Sequence, residues 1–186
     1  MLEGRLVRLR ATEPEDRERV HSWLNDPEVT RYLTMRYPSA ERDWIWPVDG
    51  PPPGITFVRL AIETKEGAHI GAVNLHQVNV EDGHAGLGII IGARAYWDRG
   101  YGADAVVTLL RFAFGEMNLH RVWLTVLDEH ERGIVCYRTC GFREEARLRQ
   151  DVYRRGRHHD FILMGILRGE FEALHGAARA EGGGDA

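Results

Sequence analysis

The stretch "AYWDRGYGADAV", Ala95 to Val106, sets glycines at 100 and 102 on either side of a tyrosine, just where an apolar stripe begins. Val106, Leu109, Leu110, Ala113, Phe114 and Met117 recur at helical spacing, so an amphipathic helix lying on a sheet is expected from about Gly102 onward. Free N–H groups at a helix start form an anion site, and glycines there let a phosphate reach the backbone without meeting side chains, so a pyrophosphate is the natural guest. A plain tight loop explains the same residues without any ligand. Gly100-x-Gly102-x-x-Ala105 also matches a dinucleotide fingerprint, with Asp128 as a ribose partner, although the charged "ARAYWDR" then separates the first glycine from its strand.

Outward from this turn the chain reads as one α/β (α+β) domain over residues 1–175, with a flexible tail at 176–186 that ends in "EGGGDA". Upstream, "FVRLAIET", "HIGAVNLHQV" and "DGHAGLGIIIG" read as an antiparallel meander over residues 57–92. Downstream, "HRVWLTVLD" is a strand, a second helix runs from about Glu131 to Cys140 and stops at Gly141, and "FREEARLRQDVYRRG" with "HHDFILMGIL" forms a closing hairpin. At the N-terminus, residues 2–10 alternate as one strand. A helix follows it, started by a Thr12/Glu15 capping box around Pro14 and carrying Val20, Trp23 and Leu24. Residues 27–47 suggest short helical pieces bearing Trp44 and Trp46, and "VDGPPPG" is an exposed loop. The resulting expectation is a mixed, mostly antiparallel sheet of about seven strands flanked by helices, with one βαβ crossover at the glycine turn.

Composition narrows the function classes. At 186 residues and 44% apolar content the chain can bury one core, and no apolar run is long enough to span a membrane. The charged N-terminus lacks the apolar run of a signal peptide, which points to the cytoplasm. A net charge of −4 argues against a nucleic-acid partner and suits a cationic substrate. Cys136 and Cys140 lie one helical turn apart, too few ligands for a metal, and are read as buried. The adjacent residues of "HHD", His158 to Asp160, would face opposite sides of a strand, so no metal site is expected.

The series "GLGIIIG…YWDRGYGADAV…LLRFAF…LHRVWLTVLDEHERGIVCYRTCGF" resembles the GNAT superfamily of acyl-CoA-dependent N-acetyltransferases, in the branch of RimJ/RimL-type and spermidine acetyltransferases. The resemblance implies a GNAT-like acyl-CoA transferase fold with acetyl-CoA as co-substrate and no metal. Pantetheine would lie along the backbone of Ile89, Ile90 and Ile91, and further contacts would come from Trp97, Arg99, Gly100, Tyr101, Gly102, Ala103, His130 and Arg132. Trp97 stands where the family carries Gln or Arg, and His130 where it usually carries Asn. The acceptor implied is a primary amine, either a small molecule such as a polyamine or a protein N-terminus, and a homodimer is compatible with the family.

Acetyl transfer to an amine needs a proton for the departing thiolate and a neutral amine. The resemblance gives the first task to Tyr137. Many relatives carry a strand Glu for the second, but Gly86 holds that position. His84 on the same strand face, His76 on the preceding strand and a water relay are the alternatives. A non-catalytic acyl-CoA-binding module and a nicotinamide-dependent oxidoreductase are the rival readings.

Overall fold

A computed structural model describes residues 1–33 and 56–176; Trp44, Trp46, the "VDGPPPG" loop and residues 177–186 lie outside the described residues. The strands are β1 (Leu2–Glu3), β2 (Val7–Ala11), β3 (Phe57–Thr64), β4 (His69–Asn79), β5 (His84–Ile91), β6 (Arg121–Leu127), β7 (Arg143–Arg154) and β8 (Arg157–Leu167). The helices are α1 (Arg17–Leu24), α2 (Tyr101–Gly115), α3 (Glu131–Cys140) and α4 (Arg168–His175). One sheet runs in the order β1-β2-β3-β4-β5-β6-β8-β7. All neighbours are antiparallel except β5 and β6, which α2 joins as a crossover.

Among the described residues eight strands form rather than about seven, because the N-terminal run breaks. Gly4 sits against Thr108 Oγ1 and Asp104 of α2, with no room for a Cβ, and Asp104 accepts hydrogen bonds from the N–H groups of Arg5, Leu6 and Val7. The segment therefore turns there into the β1–β2 hairpin. The start of α1 also differs from the expected Thr12/Glu15 box. The Glu13 N–H donates to Asp16 Oδ2, and a 3-10 turn over Pro14–Asp16 leads into the helix.

Strand pleating sorts the apolar residues into two cores. Ile89 and Ile91 pack into the main core with Val122, Leu124 and Val126 of β6 and the stripe Ala105, Val106, Leu109, Leu110, Ala113 and Phe114 of α2. Ile90 points the other way, onto Val20, Trp23, Leu24 and Val29 around α1. Met117 falls past the end of α2 but still packs against the main core. No element was expected at α4, whose Phe171 is buried 5.3 Å from Phe114. Gly141, at φ 105°, ends α3, and the Phe142 N–H donates back to the Tyr137 carbonyl.

Candidate functional site

β5 and β6 pair over three residues only, His84 to Gly86 against Arg121 to Trp123, and the strands then part. Ile90 turns its carbonyl toward β4, where it lies 2.2 Å from the position a Cβ on Gly71 would take. The alternation of strand hydrogen bonds therefore aims the N–H and C=O of Leu87, Ile89 and Ile91 into the gap beside β6. A linear ligand carrying amides can satisfy such groups as an added strand would.

Into this gap opens a cavity of about 780 Å³. One wall is the Gly100–Ala103 turn. Gly100 caps α2 at φ 85°, a left-handed conformation suited to glycine, and among the described residues no side chain caps the helix. The first intrahelical bond there runs from Asp104 N–H to Gly100 O, so the N–H groups of Tyr101, Gly102 and Ala103 precede it and are available to an anion. Asp104, the acid of this first turn, directs its carboxylate to the β1–β2 turn, where it accepts from the N–H groups of Arg5, Leu6 and Val7.

The structure brings together Ile89, Ile90, Ile91, Trp97, Gly100, Gly102, Ala103, His130, Arg132 and Tyr137 along the cavity. The Trp97 indole N–H donates to Ile91 O at 2.6 Å, taking one of the acceptors that face the gap. Its ring carries the Arg132 guanidinium, 4.3 Å from the centroid, which also reaches Asp98 at 3.4 Å. His130 stacks on Tyr32 at 4.2 Å between centroids, and Gly133 leaves the room its ring fills. Burial, helped by Arg132, pushes its pKa down to about 4, so it is neutral at physiological pH. Burial, reinforced by the neighbouring Cys136 and Cys140 thiols, holds the Tyr137 phenol well above its usual range, which keeps the proton on its oxygen.

Three of the expected site residues do not line the cavity. Arg99 turns back to the Ala95 carbonyl at 3.3 Å. The Tyr101 ring packs on Tyr96, 5.1 Å between centroids, leaving only its backbone N–H at the turn. His84 sits at the closed end of the strand pair, beside Arg121 and Asn79. His76, by contrast, is part of the wall. Sequence reasoning missed Glu28, Tyr32, Thr125 and Phe161, which also line it. Thr125 could have been found from the pleat, since it alternates with the core residues Leu124 and Val126. Cys140 is buried, whereas Cys136 faces the cavity. Among the described residues no group of three or more His, Cys, Asp or Glu side chains is placed to hold a metal, and no helix is long and apolar enough to cross a membrane.

Comparison with known proteins gives this geometry a family. The chain is 29% identical over 167 residues to an uncharacterized N-acetyltransferase of Bacillus licheniformis, covering 88% of this chain and 93% of the relative. It is 28% identical over 169 residues to the spermidine N(1)-acetyltransferase of Escherichia coli K12, covering 91% and 90%. The crystal structure of the Vibrio cholerae spermidine N-acetyltransferase in complex with CoA and spermine superposes with a TM-score of 0.80 at 25% identity, over 89% of this chain and 98% of that one. Residues 6–143 match the acetyltransferase (GNAT) domain, and the chain belongs to that family of acetyl-CoA-dependent N-acetyltransferases.

Proposed function

We propose that the chain moves an acetyl group from acetyl-CoA directly to a primary amine, with a polyamine as the acceptor class. The observation that carries this reading is the unpaired inner edge of β5 running toward the uncapped start of α2 inside one cavity. Leu87, Ile89 and Ile91 would hold the pantetheine amides, and the N–H groups of Tyr101, Gly102 and Ala103 the pyrophosphate. Bound acetyl-CoA supplies the activated acyl group. Tyr137, protonated and on the cavity wall, would hand a proton to the departing sulfur. Arg132, steadied by Trp97 and Asp98, adds positive charge on the α3 side of the same wall.

The polyamine reading is supported by the relatives named as spermidine acetyltransferases, by the net charge of −4, and by Glu131 and Glu28 among the residues of the cavity wall, the latter also paired with Arg94. Thiol release from acetyl-CoA, measured over spermidine, spermine, an aminoglycoside and a peptide with a free N-terminus, tests it. Saturable release with the polyamines is expected. Release with the peptide alone would overturn the acceptor class, and no release with any amine would overturn direct transfer.

A further inference from the structure

On the face of the sheet opposite α2, β5 presents glycines at 86 and 88, and neither position is empty. A Cβ built on Gly86 would lie 2.3 Å from His76 Cε1, 2.7 Å from its Nδ1 and 2.8 Å from its Nε2. One built on Gly88 would lie 2.9 Å from Asn74 Nδ2. The register explains both, since His76 pairs with Gly86 and Asn74 with Gly88 across the β4–β5 ladder. The neighbouring strand thus supplies the side chains that β5 lacks on this face.

His76 is held in that position. Its ring meets Trp123 of β6 edge-on at 5.4 Å, and a bulge follows it at once, where Gln77 takes φ 49° and the β4 register shifts before Asn79. It lines the same cavity as Tyr137. We propose that His76 is the catalytic base that accepts the amine proton, filling from β4 the place Gly86 leaves on β5. This rests on the direct-transfer reading above. The amine nitrogen bonds to the acyl carbon while its N–H proton passes to a His76 ring nitrogen. The carbon–sulfur electron pair leaves with sulfur, and the Tyr137 hydroxyl returns a proton to it; His76 and Tyr137 then reset by exchange with solvent. Burial keeps the imidazole neutral below its ordinary pKa, the state a base requires. The charged or titratable groups on this face of the adjacent strands are Arg59 of β3, His84 of β5 and Arg121 of β6, the last engaged by Glu145 of β7.

The test is the pH profile of kcat/KM for spermidine at saturating acetyl-CoA, in wild type, His76→Gln, His76→Ala and the swap His76→Ala/Gly86→Glu. His76→Gln is expected to lower kcat/KM by about 100-fold or more and to remove the low-pH limb, with KM for acetyl-CoA within about twofold of wild type. In the swap, the glutamate enters the space the imidazole vacates. At least a tenfold recovery over His76→Ala is expected, with the limb moved toward carboxylate pH values. This variant keeps the test decisive should His76→Gln fail to fold. An active wild type whose His76→Gln form keeps the same profile, or a folded swap with no recovery, would overturn the assignment alone. A wild type inert toward every amine would overturn the transferase reading beneath it.

Discussion

α1 and α2 begin in opposite ways. At the start of α1 the anion is built in: Asp16 accepts from the Glu13 N–H at Oδ2 and from the two terminal nitrogens of Arg10, one at each oxygen, at 2.7 and 2.8 Å, while His69 Nδ1 lies 3.0 Å from Oδ1. Arg10 also reaches Glu63 at 2.9 Å, so one carboxylate ties the helix to β2, β3 and β4. His69 in turn sits edge-on to Trp23, whose indole covers Gly92 at the end of β5. At the start of α2 the N–H groups lie beside a cavity, with no capping side chain among the described residues. A helix start beside an anion that its own chain supplies and binds, as at α1, is tied into the fold, although no described side chain caps α1 itself. One left unsatisfied beside a cavity is fitted to bind an anion. Rate and stability should therefore respond to different substitutions.

The largest expected effect is at the open end. Tyr137→Phe removes one oxygen and leaves the ring against Phe142, so turnover should fall by about 100-fold or more while melting temperature and KM for acetyl-CoA stay close to wild type. Near-normal turnover in the folded variant would remove Tyr137 from the chemistry.

At the closed end the expected pattern reverses. Asp16→Asn removes the negative charge that faces Arg10 and His69 and should lower stability by about 2 kcal/mol, with kcat in the remaining folded enzyme little changed. Burial opposes the Asp16 charge, but the hydrogen bonds from Arg10 and the Glu13 N–H outweigh it and hold the carboxyl below its usual 3.8. Its stabilisation is thus fully present above 3.8 and is lost as pH falls through the lower folded value. Melting curves of wild type and Asp16→Asn should converge only in that acid range. A gap that persists there would mean the carboxylate contributes by shape rather than by charge.

The smallest effect lies where the two roles meet. A Cβ on Gly100 would meet only Leu6 Cδ1 at 3.6 Å, so Gly100→Ala is penalised by its left-handed φ of 85° rather than by space. About 1 kcal/mol of stability should be lost, lowering the melting temperature by about 3 °C. Calorimetric titration should show a matching weakening for acetyl-CoA. Lost stability with unchanged affinity would separate the turn's shape from its ligand.

Much of the architecture was legible because it is local. The α2 stripe, Gly141 behind α3 and the three strands of the meander follow from periodicity and glycine placement, and the motif around Gly100 and Gly102 carried the family. α4 was not expected, since Phe171 alone marks its buried face and only the fold shows the core that receives it. The N-terminal alternation was read as one strand because the contact that breaks it, Gly4 against Asp104, joins residues a hundred positions apart.

Sequence by itself determined the helical stripe of α2, the three strands of the meander and the stop of α3 at Gly141, and it set glycines at 86, 100 and 102. Tertiary structure decided that β5 and β6 part after Gly86, that Trp97 takes the Ile91 carbonyl, and that His76 rather than His84 stands on the cavity wall. The physical reason is register. A one-residue shift sends every side chain of a strand to the opposite face, and the bulge at Gln77 that sets the pairing around His76 belongs to two strands at once.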